Sequence, residues 1–198
     1  MEKNTRGARE RIIKKAMELF YVQGLGNTGI NQIIDESSVA KTTLYHHFSS
    51  KDDLIIETLM RYSDFLIGRI ETAAQEASDL DDFLDRWVSQ VRRDAAGGFF
   101  NGCPVAGAAF GVPMSSEKFR NAFAGVMRDW QDRISAIFNS MREQGHLDRG
   151  TDVLMLTRRI MQVYEGAFTM WRITGDTGYF DDLSILFPLL CKQGATDE

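Results

Sequence analysis

The sequence predicts an all-α protein in two parts: a three-helix head with a helix-turn-helix over residues 1–50, and a larger helical body over 51–198. Three observations predict this. Apolar residues recur at three- and four-residue spacing through most of the chain, the period of an amphipathic helix. Only 3 prolines interrupt 198 residues, so long helices are allowed. Residues 28–53, TGINQIIDESSVAKTTLYHHFSSKDD, read as two short helices joined by a tight turn, with the start of another directly after.

With 43% hydrophobic residues the chain can bury a core, yet it has no apolar run of about 18 residues that would cross a membrane. MEKNTRGARERI carries charge with no apolar segment behind it, so no signal peptide is expected. Two cysteines make no disulfide framework, and a cytoplasmic protein is the expectation. Net charge is -5, but unevenly spread. Residues 1–51 hold 8 Lys and Arg against 5 Asp and Glu, and the rest hold 15 against 23. Such a balance disfavours general nucleic-acid affinity while leaving a locally basic head.

In chain order, Met1 to Gly7 is expected to be a loose arm. Its Lys3 and Arg6 either reach a minor groove or are simply solvated. The first helix should run from Ala8 to Gln23 on the stripe of Ile12, Ile13, Ala16, Met17, Leu19 and Phe20, stopped by Gly24. Ile30, Ile33 and Ile34 predict a short helix over 30–37 capped by Thr28. Ser37-Ser38 is a turn signal, and Val39 is suited to plug the corner. In the next helix Leu44 and Phe48 face inward. Lys41, Thr42, Thr43, Tyr45 and His46 then face outward, with no carboxylate between Lys41 and Ser50. A face of hydroxyls, rings and a cation suits phosphate oxygens and base edges, although an ordinary helical hairpin can also carry it. Ser50 and Asp53 form a capping box for the fourth helix, with Lys51 at its N-terminus where a phosphate could sit. The candidate nucleic-acid contacts are Thr28, Lys41, Thr42, Thr43, Tyr45, His46 and Lys51.

Residues 9–55, and the run VAKTTLYHHFSSKDDLI above all, resemble the DNA-binding domain of TetR-type transcriptional repressors. Ser38 departs from that pattern where a turn glycine is common, and Ala40 where a capping serine is common. The resemblance implies a homodimer that places two heads about 34 Å apart on a pseudo-palindromic double-stranded DNA operator. It also implies a second domain that binds a small-molecule effector and dimerises, with effector binding swinging the fourth helix to release the operator.

The fourth helix should continue to Ala77, a rod of about 37 Å at 1.5 Å per residue. Ser78 and Asp81 are expected to cap a helix over 80–93. Residues 95–116, AAGGFFNGCPVAGAAFGVPMSS, hold five glycines, two prolines and no charge, with a short helix over 105–110. The run NGCPVAGAA resembles the second-domain motif of a TetR subgroup that includes regulators responding to aromatic compounds and electrophiles. Three more helices are predicted: one from Ser115 or Ser116 to about Gly145, one over 151–174 and one over 180–192, with a kink at Pro188. The 151–174 segment is apolar on two sides, so one side is expected to meet a second copy. Leu183, Leu186, Phe187, Leu190 and Cys191 would complete that four-helix interface.

Trp87, Phe99, Phe100, Cys103, Met114, Phe119, Trp130, Met161, Tyr164 and Phe168 are the candidate lining of a pocket for a small hydrophobic or aromatic effector. Each of them also suits a plain core position. Cys103, between Gly102 and Pro104, raises the alternative of a redox- or electrophile-sensing repressor, while Cys191 on an apolar helix reads as a buried small hydrophobe. No metal site, cofactor or catalytic residue is expected. His46 and His47 point apart on a helix, and no phosphate loop or serine elbow occurs. A hydrolase would need His146 to fold beside Cys103, and a purely structural helical adaptor would bind protein without losing affinity as salt rises.

Overall fold

The computed structural model describes residues 2–97 and 101–193, the side chains of 2–6 and 193 excepted. Among the described residues the chain is all-α, with nine helices: α1 Glu2–Gln23, α2 Ile30–Ser37, α3 Lys41–His47, α4 Lys51–Glu76, α5 Leu80–Ala96, α6 Pro104–Phe110, α7 Glu117–Glu143, α8 Val153–Thr174 and α9 Gly178–Gln193. No described helix is long and apolar enough to cross a membrane. The helices divide between two units, Met1–Asp64 with Pro104–Val126, and Phe65–Cys103 with Met127–Glu198.

In the first unit Ile12, Ile13 and Ala16 of α1, Ile33 of α2, Leu44 of α3, Phe48 and Leu54 form a buried core. The helix α1 starts at Glu2, so the expected loose arm is helical instead. Its Glu, Lys and Arg residues favour helix, and a lone Gly7 costs only about 1 kcal/mol. Gly29, not Thr28, occupies the N-cap of α2, and no side chain caps that end. Ser38 closes α2 in the left-handed conformation at φ 55°, where glycine is the usual residue. The following α3 opens behind Ala40 without a side-chain cap. At α4 the expected box is formed: the Ser50 hydroxyl accepts from the Asp53 amide at 3.1 Å and donates to its carboxylate at 2.9 Å. Tyr62, further along α4, donates its hydroxyl to the Met17 carbonyl of α1 at 2.6 Å.

The second unit is built on aromatic side chains. Phe83 and Trp87 of α5, Phe138 of α7, and Phe180 and Phe187 of α9 are fully buried. The Trp87 ring lies 5.3 Å from that of Tyr164 and 5.2 Å from that of Phe187, centroid to centroid. The cap of α5 is Asp79 rather than Ser78: its carboxylate accepts from the Asp82 amide at 2.9 Å, and Asp82 accepts in turn from the Ser78 amide at 3.0 Å. The box is shifted by one residue because aspartate, three before a second aspartate, serves the same geometry. The pairs Arg69–Asp94 and Arg133–Glu71 tie α4 to α5 and α7.

The helices α8 and α9 pack on each other, and this corrects the expected dimer face. Leu183, Phe187 and Cys191 are buried inside the protomer, and Leu190 is half-buried. Ile185, Leu186 and Leu189 are the apolar residues of α9 left exposed, together with Leu154, Met170 and Ile173 of α8. The last helix has two apolar faces, and its own protomer takes one of them.

Candidate functional site

Two arrangements are candidates for function, one in each unit. The first is the outer face of α3. Leu44 and Phe48 anchor the segment in the head core, and four-residue spacing fixes which neighbours point out. Lys41, Thr42, Tyr45 and His46 are exposed, and Thr43 is half-buried. The resulting strip offers a cation, hydroxyl groups, a phenol and an imidazole within seven residues.

Two other predicted contacts are committed inside the head. The Thr28 side chain is fully buried, and its hydroxyl donates to the carbonyls of Gly24 at 2.9 Å and Leu19 at 3.3 Å. It thereby serves the otherwise unpaired end of α1 and is turned away from any groove. Lys51 Nζ donates to the Leu25 carbonyl at 2.6 Å and lies 6.0 Å from the centre of the Phe20 ring. Its charge is spent on the loop between α1 and α2, not held out at the helix terminus.

The second arrangement is a small apolar pocket in the other unit, with room for about a single water-sized group. Ile70 of α4, Trp87 of α5, Trp130 and Ile134 of α7, and Met161, Tyr164 and Glu165 of α8 line it. It therefore gathers four of the ten predicted ligand contacts: Trp87, Trp130, Met161 and Tyr164. Phe168 stacks edge-on against Tyr164 at 4.6 Å and supports it from behind. Met114 is exposed and Phe119 is buried, both in the first unit, so neither lines this cavity. Phe99 and Phe100 lie outside the described residues.

Glu165 gives the cavity its chemistry. Both carboxylate oxygens are sealed from solvent, and neither meets a well-aligned hydrogen-bond donor. Burial pushes its carboxyl above the usual range, and only the weak thiol donor of Cys103 works against that. Tyr164 is raised too, first by burial and then because its phenolate would be repelled by the ionised forms of Cys103 and Glu165 beside it. Cys103 itself is buried, with a carboxylate as neighbour.

Residues 12–58 match the family described as bacterial regulatory proteins, tetR family, and residues 69–185 match a tetracyclin repressor-like C-terminal domain. The chain belongs to the TetR family. It is 29% identical over 125 residues to the HTH-type transcriptional regulator LmrA of Bacillus subtilis, covering 62% of this chain and 66% of that one. It is 31% identical over 129 residues to the HTH-type transcriptional regulator YxaF of the same species, covering 63% and 66%. This chain thus spans just under two thirds of each relative's length. Among solved structures, a TetR-family regulator from Cytophaga hutchinsonii shares the fold at a TM-score of 0.84, with 19% identity and 98% of each chain covered.

Within this TetR-family chain, Glu165 is the pocket-lining residue that sequence reasoning missed, and its signal was present. Met161, Tyr164 and Phe168 form an apolar stripe on α8, and Glu165 stands four residues after Met161 on that stripe. A carboxylate on the buried face of a helix is the anomaly to look for. Ile70 and Ile134 carried no comparable signal, being ordinary core residues by pattern.

Proposed function

We propose that this chain is a cytoplasmic transcriptional repressor that binds a pseudo-palindromic operator as a homodimer and is released by a small hydrophobic or aromatic molecule. The carboxylate-free outer face of α3 carries this reading: Lys41, Thr42, Tyr45 and His46 are exposed, while Leu44 and Phe48 hold the helix in place. A recognition helix of a helix-turn-helix needs that combination of a rigid base and a face of donors for phosphates and base edges. The exposed apolar residues of α8 and α9 support self-association, since Leu154, Met170, Ile173, Ile185, Leu186 and Leu189 would be covered by a second copy. Ile70 of the cavity stands on α4, the helix that begins at Lys51 directly after the recognition helix. A ligand that shifts α4 would therefore alter head spacing, and a coupling of about 1–3 kcal/mol changes operator affinity by roughly 5- to 150-fold.

The electrophile-sensing alternative is less well supported. Cys103 is buried beside a carboxylate, whereas a reactive thiol needs access and a neighbouring cation.

Fluorescence anisotropy with the DNA upstream of the protein's own gene, at two salt concentrations and against a random duplex, tests the proposal. Tight, salt-sensitive and selective binding that is lost in a Lys41→Ala, Tyr45→Ala double variant is the expected result. Equal binding to both duplexes would sink it.

A further inference from the structure

The second unit also holds a space of ligand size. The start of α5, the turn after α7 and the last turn of α9 enclose an open groove of about 420 Å³. Small-molecule sites run from roughly 300 to 1,000 Å³. The floor is apolar: Leu147 and Cys191 are buried, and Leu80 and Pro188 are half-buried. Cys191 is only 4% exposed yet lines the groove, and its thiol has no hydrogen bond to a described residue. The lip is acidic, with Asp79, Asp81 and Asp148 all exposed. Asp79 accepts from the Asp82 amide at 2.9 Å and Asp148 from the Gly150 amide at 2.7 Å, but none of the three forms an ion pair with a described residue. Lys192 is the one ammonium on the lip. It stands in the last turn of α9, whose negative end already answers part of its charge. The charge of Asp81 is felt on the floor: burial first, and then this carboxylate, push the Cys191 thiol up to about 12. The thiol therefore stays protonated and the floor uncharged.

We propose that this groove binds a small organic cation, an ammonium carried on an apolar body, with Asp81 and Asp148 as its counter-charges and Leu80, Leu147 and Pro188 beneath the body. The site is separate from the pocket between Trp87 and Glu165, and it does not depend on operator binding. Asp79 contributes less, because its carboxylate already holds the N-terminus of α5. The carboxylates stay solvated until a guest arrives, so the empty site carries no bare buried charge. A neutral guest would gain the apolar floor alone, and an anion would meet three like charges on the lip.

Three probes of similar shape isolate the charge: protonated benzylamine, neutral benzyl alcohol and anionic benzoate. Each is titrated into the full-length protein while the histidine ring signals are followed by NMR. The chain has 3 histidines, of which His146 lies on the lip of the groove and His46 and His47 lie on α3. His146→Gln assigns the signal by removing it. Benzylamine is expected to move the His146 signal to saturation and leave the other two in place. Benzyl alcohol and benzoate should bind at least about fivefold more weakly, the scale of two solvent-exposed charge pairs. An Asp81→Asn, Asp148→Asn double variant should weaken benzylamine by a similar factor, with a melting curve confirming that it folds. Asp81→Asn alone, which keeps the Asp148 turn, serves if the double variant does not fold. Benzyl alcohol or benzoate binding as tightly as benzylamine overturns the proposal. So does benzylamine binding that survives the loss of the carboxylates, a His146 signal that does not move, or equal movement of all three histidine signals. Operator binding of the same preparations without probe fails only if the repressor reading itself is wrong.

Discussion

The Thr28 hydroxyl donates to the Gly24 carbonyl at 2.9 Å, closing the end of α1 four residues upstream. Its second contact, at 3.3 Å, is to the Leu19 carbonyl inside α1. Replacing the hydroxyl by a methyl in Thr28→Val keeps the shape and takes away the donor that the Gly24 carbonyl meets just past the end of α1. A loss of about 1–3 kcal/mol in folding stability is expected from urea denaturation. Operator affinity measured well below the melting temperature should change by less than about twofold. A large loss of affinity in a fully folded variant would restore Thr28 as a DNA contact.

Ser38 is the one non-glycine residue with positive φ among the described residues. A β-carbon in that conformation costs roughly 1–2 kcal/mol. The turn bonds of Ser38 and Val39 to Asp35 and Ile34 are made by backbone amides, so a substitution keeps them. Ser38→Gly should therefore raise the melting temperature, by about 2–4 °C for each kcal/mol recovered in a chain of this size. Thermal denaturation followed by circular dichroism reads this directly, and an unchanged or lower midpoint would contradict it.

Lys41 and Lys51 both lie near the start of a helix in the head, and they should behave differently. Lys41 is exposed on the recognition face, so Lys41→Ala should reduce the slope of log affinity against log salt by about 1. Lys51 is held on the Leu25 carbonyl, and Lys51→Met should lower stability while leaving the salt slope nearly intact. Anisotropy titrations over four salt concentrations separate the two. Equal slope changes in both variants would mean that Lys51 leaves Leu25 to reach a phosphate.

The helices were legible because the three-and-four spacing of apolar residues is a local property. Ser50 with Asp53 was legible for the same reason, since its geometry closes within one turn. Thr28 and Ser78 were misassigned because several polar residues stood near each helix start, and spacing alone does not choose among them. Asp79 and Gly29 hold those caps instead. Most of the expected dimer face was misassigned because an apolar stripe does not say whether it meets its own chain or a copy. Leu183, Phe187 and Cys191 pack inside the protomer, while Leu186 stays exposed beside Ile185 and Leu189. The cavity was half legible: aromatic spacing marked Trp87, Trp130, Met161 and Tyr164. Cys103 meeting Glu165 needed packing between residues 62 positions apart.

Arg133 grips Glu71 through two parallel bonds of 2.7 and 2.6 Å, joining α7 to α4 within the second unit. Both side chains are about one-third exposed, so solvent screens the pair and its contribution is about 1 kcal/mol, the upper end for exposed pairs, favoured by the bidentate geometry. The hydrogen bonds from Arg133 hold the Glu71 carboxyl below its ordinary value, against a smaller opposing effect of burial. A depressed carboxylate stabilises the fold above its unfolded pKa of about 4.3, and that stabilisation is lost as pH falls through the lower folded value. Glu71→Gln should therefore cost about 1 kcal/mol at pH 7. The gap between wild type and variant should close between about pH 5 and pH 3, because both then present a neutral group to Arg133. Urea denaturation of the two proteins across that range is the measurement. A gap that persists undiminished at pH 3 would mean that Glu71 acts through shape and packing rather than charge.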